Sequence, residues 1–377
     1  MRVLAAAAVT AVTLALAACA SGASRRVPQG FWGANWSFEI TSASPQMQER
    51  NWARMAQAGV ESQRALFLWS VAQPNPNSSF DFSQTDQLVQ LADRHGIELL
   101  PVVAFAPIWA RQYDSPSSPP RNPDEYAAYL RALIGRYGPH GSFWSAHRKL
   151  PKRPIRAWQI WNEPSANYQW TIPQGTDWAP GYAALLRAAH GAVKSADPGA
   201  KVVLAGLPNR SWQDLDHLYR VGHVHGLFDI AAVHPFTAVQ HGALTVVRRF
   251  RAVTRKYGDG RKPLWVTELG LPASKGHSND PNPLQTTQAG MSRFMRQSYT
   301  DLVAHRRQLG VGRLYWFTWA SSYSGWIFEY SGLYLFFPHA NHGKDLLQPK
   351  PALSTYVQIA RQAEGCVKTT KGTCGRH

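Results

Sequence analysis

Cysteine is nearly absent from this chain of 377 residues, which has three: Cys19, Cys366 and Cys374. That scarcity excludes a disulfide-built scaffold. No cysteine or histidine cluster surrounds the three, which argues against a cysteine-based metal centre. Acidic residues are also few, 23 against 40 lysines and arginines, giving a formal charge of +17. Beyond the N-terminus no apolar run approaches the roughly 18 residues of a membrane span. No low-complexity tract or shift in composition marks a second domain. What is left is one long, basic, folded unit behind a short apolar leader.

That leader has the form of an export signal. Arg2 supplies the positive charge, and Val3–Ala18 is apolar apart from Thr10 and Thr13. It is too short to span a bilayer comfortably. It ends Leu16-Ala17-Ala18-Cys19, which resembles the bacterial lipobox, whose cysteine becomes the lipidated N-terminus. The resemblance implies a lipoprotein signal over 1–18 and a tether over 19–28. The protein would then be exported and held by lipid on Cys19 to the bacterial cell membrane or envelope, facing outward. With Cys19 so used, Cys366 and Cys374 are left to pair in an oxidising compartment, stapling a tail over 364–377. From Cys19 onward the chain has 359 residues and a formal charge of +16. On an exported protein nucleic acid is not the expected partner. A solvated basic surface accounts for the charge, as does attraction to an anionic envelope or an acidic polysaccharide.

Between residues 29 and 363, β-type apolar runs alternate with helical patterns, the signature of parallel βαβ units. The strand candidates are Phe31–Trp36, Ser62–Leu68, Glu98–Phe105, Ile155–Trp161, Val202–Ala205, Ile230–His234, Leu264–Glu268 and Arg313–Trp319. That number is the strand count of a (β/α)8 barrel, a single-domain α/β fold of this size. Helices are expected over Met47–Ala58, Thr85–His95, Asp124–Tyr137, Gly181–Ala196, Leu244–Tyr257 and Gln288–Leu309, several stopped by a glycine. Ser115–Pro123, Trp170–Pro180 and Leu271–Gln288 become loops over the C-terminal ends of the strands, the face that carries barrel active sites.

Two strand ends carry a glutamate. Strand four runs into Trp161-Asn162-Glu163-Pro164-Ser165, and strand seven is Leu264-Trp265-Val266-Thr267-Glu268 followed by Leu269-Gly270. Pro164 cannot donate to a ladder, so regular pairing ends there and the carboxylate is left at the tip. The glutamates are 105 residues apart, close to three βα units of about 35 residues. On strands four and seven they face each other across the mouth. Paired carboxylates so placed suit glycoside hydrolysis. Taken one at a time, each could equally be an ion-pair or helix-start carboxylate.

With these motifs the chain resembles the clan A glycoside hydrolases. It is most similar to glycoside hydrolase family 39, including its bacterial endoglycosidases that cut exopolysaccharide. The resemblance covers nearly all of residues 30–360. It extends to Gln63-Arg64 on strand two, His234-Pro235-Phe236 on strand six and Tyr315-Trp316-Phe317-Thr318-Trp319 on strand eight. It implies a retaining double displacement on β-glycosidic bonds of a polysaccharide or oligosaccharide, with Glu163 as acid/base and Glu268 as nucleophile. Asn162 would bind the sugar 2-OH, and Arg64 would stand beside the nucleophile. No cofactor and no metal is expected, and the protein is expected to be a monomer. An inactive polysaccharide-binding lipoprotein on the same barrel is the alternative.

Clan relatives often carry His-x-Tyr on strand six, with the hydroxyl touching the nucleophile. This chain has Phe236 there, so Tyr315, Tyr323 or no residue supplies that contact. His234, at the same strand end, is a substrate-binding candidate or a satisfied structural group. His223, His225 and His241 lie in polar loops without metal-ligand spacing. Tryptophan is abundant, 15 in all. Trp36, Trp69, Trp109, Trp161, Trp170, Trp316 and Trp319 fall at or after strand ends. Aromatic faces there can stack on sugars or pack between barrel and helices. Trp319 and Trp109 are the expected sugar contacts.

Overall fold

The computed structural model describes residues 25–35, 43–208, 210–323, 325–341 and 344–365. The segment expected to be a signal, Cys19, Trp36, Cys366 and Cys374 lie outside the described residues. Eight parallel strands form the central sheet: β1 (Trp32–Asn35), β2 (Ser62–Leu68), β3 (Glu98–Ala104), β4 (Ala157–Ile160), β5 (Lys201–Val203), β6 (Ala231–Val233), β7 (Leu264–Leu269) and β8 (Val311–Trp316). They are hydrogen-bonded in the order β5-β4-β3-β2-β1-β8-β7-β6. Parallel bridges Val203–Ile230 and Leu207–Val233 join the two remaining edges and close the ring. All eight strand candidates coincide with a barrel strand, with ends shifted by up to three residues.

Around the barrel lie α1 (Pro45–Gln57), α2 (Ser83–His95), α3 (Pro123–Tyr137), α4 (Trp178–Ala196), α5 (Ser211–Gly222), α6 (Gly242–Lys256), α7 (Gln288–Ala304) and α8 (Pro351–Ala363). Short polar side chains start several of them. Ser44, Asn122 and Asp177 accept from the backbone N–H groups of Met47, Asp124 and Ala179. The Asp177 cap explains why α4 begins before Gly181: Pro180 falls in the first turn, where no N–H donor is needed. The expected single helix over Gln288–Leu309 instead breaks at His305, and a separate turn, Arg306–Leu309, follows α7. Further elements with no counterpart in the sequence reading include α5, α8, and a hairpin of β10 (Tyr334–Asn341) and β11 (Lys344–Pro349). With β9 (Ala320–Ser321) the hairpin forms a small sheet beyond β8. Among the described residues no helix is long and apolar enough to cross a membrane.

The apolar core has two parts, set by the alternation of side chains along each strand. One lies between the strands and the helices. The other fills the barrel itself with Leu100, Val203, Ile230, Ala232, Trp265 and Tyr315, against which Ala157 packs. Gly33 is needed beside this plug, because a Cβ there would lie 2.3 Å from the Tyr315 ring. Below the plug, at the strand N-termini, Arg313 donates to Ser62 Oγ (2.8 Å) and ion-pairs with Glu98. Above it, two residues further along the same strands, the pattern delivers Asn35, Gln159, His234 and Thr267, with Arg64 from β2. A dry apolar layer thus supports a polar one.

Candidate active site

Arg64 is the hub of that polar layer. Its Nη1 lies 2.6 Å from Glu268 Oε1 and 2.9 Å from Asn35 Oδ1. Its Nε donates to Gln159 Oε1 and its Nη2 to Asn162 Oδ1, both at 2.6 Å. Four strands are tied through one guanidinium, whose planar fork suits several acceptors at once. Gln159 passes the network on to the Leu204 carbonyl at 3.0 Å, and Asn35 to that of Thr267 at 2.9 Å. Because Asn162 Oδ1 is taken by Arg64, its amide NH2 remains for an outside acceptor.

Glu163 enters from the other side. The chain turns left-handed at Trp161 (φ 64°) and again at Glu163 itself (φ 43°), an uncommon backbone for residues with a Cβ. The Glu163 N–H bonds the Gly206 carbonyl at 3.2 Å, fixing the turn against the end of β5. His234 Nδ1 lies 2.7 Å from Glu163 Oε1, and its Nε2 3.0 Å from Thr267 Oγ1. Gly206 makes room for the ring, since a Cβ there would lie 1.9 Å from Nε2. Tyr168, in the same loop as Glu163 and 60% exposed, donates its hydroxyl to the other oxygen, Oε2.

Burial governs the charge states. It pushes the Glu163 carboxyl up from 4.5 to about 7, against the opposing pull of the Tyr168 hydrogen bond and the Arg64 cation. Burial also pushes the His234 ring down to about 3, although the Glu268 charge opposes it. His234 is therefore a neutral imidazole near pH 7, able to donate to Glu163 or accept from it while Thr267 completes the ring. One oxygen from each glutamate and a nitrogen of His234 lie within 4.8 Å of one another. These three groups could gather a cation by spacing alone. Of their atoms, Glu268 Oε1 is held by Arg64, the two Glu163 oxygens by Tyr168 and His234, and His234 Nε2 by Thr267.

Glu163, Glu268, Asn162, Arg64 and His234 thus converge on one cluster at the barrel mouth. The two tryptophans do not join it. Trp319 is fully buried, tilted against Tyr334 with its Nε1 directed to Asn51 of α1. Trp109 is half-buried, edge-on to Trp69, and donates to the Gln73 carbonyl. Phe236 packs on Phe317 and Phe328. Neither candidate hydroxyl stands in its place. Tyr315 bonds Ser62 within the barrel at 2.7 Å, and Tyr323 stacks on Tyr330. The hydroxyl at the site belongs instead to Tyr168, which no sequence pattern marks. Gln159 is also new; its one signal is an amide amid the apolar residues of β4. Opposite the loop after β7, the loops after β3 and β4 brace each other, Thr171 N–H bonding the Ser117 carbonyl and Ser115 Oγ meeting Thr171 Oγ1, both at 3.0 Å.

No protein-family model matches this chain, and no curated protein matches it in sequence. Solved structures do match in fold. A monomeric β-xylosidase from Caulobacter crescentus CB15 superposes with a TM-score of 0.63 at 16% identity, covering 89% of this chain and 69% of that one. A family 39 glycoside hydrolase from the gut symbiont Bacteroides cellulosilyticus WH2 gives 0.63 at 15%, covering 89% and 64%. An exo-β-1,4-mannosidase from Opitutaceae bacterium strain TAV5 gives 0.60 at 17%, covering 92% and 62%. The chain spans about two thirds of the length of these proteins. At these identities the likeness is one of architecture, and the chain is a (β/α)8 barrel of the kind these glycosidases share.

Proposed function

We propose that this protein is a retaining glycosidase that cleaves β-glycosidic bonds in a polysaccharide or oligosaccharide, exported and held to the envelope by lipid on Cys19. The observation that carries the enzymatic reading is the pairing of a buried glutamate raised to about 7 with a second, arginine-paired glutamate within 4.8 Å. Retaining enzymes set their carboxyl groups about 5–5.5 Å apart, leaving no room for a water between them. The shared fold with a β-xylosidase and an exo-β-1,4-mannosidase supports the β-linkage.

In the first step a Glu268 oxygen attacks the anomeric carbon as the glycosidic C–O bond breaks. The departing oxygen takes its proton from Glu163. In the second step Glu163, now a carboxylate, takes a proton from water while the water oxygen attacks the same carbon and Glu268 departs. Asn162, oriented by Arg64, donates to the sugar 2-OH, a contact that strengthens in the transition state. His234 is wholly buried, with its nitrogens bonded to Glu163 and Thr267. It positions Glu163 and tolerates both of its protonation states.

A screen of aryl glycosides and purified bacterial polysaccharides, with products read by size, tests the activity. Glu163→Ala tests the role of Glu163. Its kcat/KM should fall about 10²–10⁴-fold on substrates with poor leaving groups and far less on dinitrophenyl glycosides, which need no proton. Equal loss on both classes would refute the assignment. The pH profile gives a second check. Activity should decline as pH rises through about 7, where Glu163 loses its proton. Tyr168→Phe removes a hydrogen bond that holds this value down, so the alkaline limb should move to higher pH. A limb that stays put or moves to lower pH would show that Tyr168 does not act on Glu163.

A further inference from the structure

Basic side chains are unevenly shared between the two ends of the barrel. The loops that leave β2, β4 and β6, residues 69–82, 161–177 and 234–241, contain no lysine or arginine, and those that leave β3, β5 and β7 carry Arg111, Arg121, Arg210 and Lys275 beside Asp114 and Asp280. The connections that enter the strands from below are different. Arg148, Lys149 and Lys152 stand exposed between α3 and β4, Arg261 between α6 and β7, Arg307 between α7 and β8, and Arg26 before β1. None of the six is ion-paired with an acid among the described residues. The sequence after Gly365 adds Lys368, Lys371 and Arg376 and no acid.

The N-terminus reaches the protein on this same face. The Arg26 N–H bonds the Ala363 carbonyl at 2.7 Å, and Arg306 of the lower α7–β8 connection bonds the Arg26 carbonyl at 2.7 Å. Cys19 lies six residues before Arg25, a reach of at most roughly 20 Å when fully extended.

We propose that the lower face seats the protein on an anionic lipid bilayer, with the mouth turned away from the membrane. A bilayer fits better than an acidic polysaccharide, because a glycan substrate must reach the mouth, at the opposite end. Each lysine or arginine near an anionic surface contributes about 1 kcal/mol, within a Debye length of about 8–10 Å.

The test uses a chain beginning at Ala20, which lacks the lipid site but keeps every element from β1 to α8. It should sediment with mixed phosphatidylglycerol–phosphatidylcholine vesicles and not with phosphatidylcholine alone. Binding should weaken at least about tenfold when salt rises from roughly 0.1 to 0.5 M. The triple substitution Arg148→Gln, Lys149→Gln and Lys152→Gln should weaken it about 100-fold. Arg210→Gln with Lys275→Gln, on the mouth loops, should leave it unchanged. Equal binding to neutral vesicles, insensitivity to salt, an equal loss from the mouth pair, or preference for soluble polygalacturonate would each overturn the proposal. The vesicle and salt comparisons need no variant, so a misfolded triple mutant leaves the test intact. Intact-mass measurement of the exported protein reports separately on Cys19, and a missing lipid there would not alter the vesicle result.

Discussion

Glu268→Ala should lower turnover by at least about 10⁴-fold, the scale seen when a catalytic nucleophile is removed. Azide supplied to this variant should restore product as a glycosyl azide. The small anion would occupy the space left by the carboxylate and attack from the face Glu268 uses, so the azide would have the inverted configuration. Glu163 still protonates the leaving oxygen in that reaction, which makes rescue specific to loss of the nucleophile. The variant leaves Arg64 without its ion-pair partner, so its circular dichroism should be compared with the parent. Activity surviving the substitution would sink the two-glutamate mechanism. A rescued product of retained configuration would reverse the roles of the two groups.

The second large effect belongs to Arg64. Arg64→Met should both destabilise the fold and abolish activity, because four acceptors, three of them buried, lose their donor at once. Breaking a buried ion pair by removing one partner costs about 3–5 kcal/mol, most of it from the charge left behind. At 6% and 8% exposure Arg64 and Glu268 meet that condition. Denaturant midpoints at pH 7 measure it. Adding Glu268→Gln to the Arg64→Met chain should recover part of the stability, since the orphaned charge is then gone. If the double variant is no more stable than Arg64→Met, the pair is not the dominant interaction. Arg64→Lys should fall between the parent and Arg64→Met, as a single ammonium cannot reach all four acceptors.

The sequence revealed the barrel because strands in such a fold carry long apolar runs and their spacing follows the βα repeat. Strand boundaries at β2 and β3 needed almost no adjustment. The misses have separate causes. α5 repeats its buried residues Leu215, Leu218, Tyr219 and Gly222 at helical spacing, but no side chain caps its start and so nothing in the sequence marks where it begins. The β10–β11 hairpin and α8 follow a run of aromatics and glycines that carries no clear period. At the site, Glu163 and Glu268 were legible because strand ends and Asn-Glu-Pro mark them in one dimension. Tyr168 was not, because its role depends on a left-handed turn that brings the hydroxyl back onto Glu163. Trp319 illustrates the opposite limit. Its place after β8 suggested the mouth, yet the ring turns outward to α1, and a side-chain direction in an irregular segment cannot be read from position.

The hydrogen bond between Arg26 and Ala363 means that the chain enters and leaves the barrel at one spot. For engineering, this fixes the geometry of any fusion. A module joined directly before Arg25 or after Gly365 starts a full barrel height from the reaction. α4, with 19 residues, sets that height at about 28 Å. A carbohydrate-binding partner meant to work on the strand being cut therefore needs a linker of at least about nine extended residues. Coupling to a bead through either end has the reverse merit, since every copy would present its open end to solution.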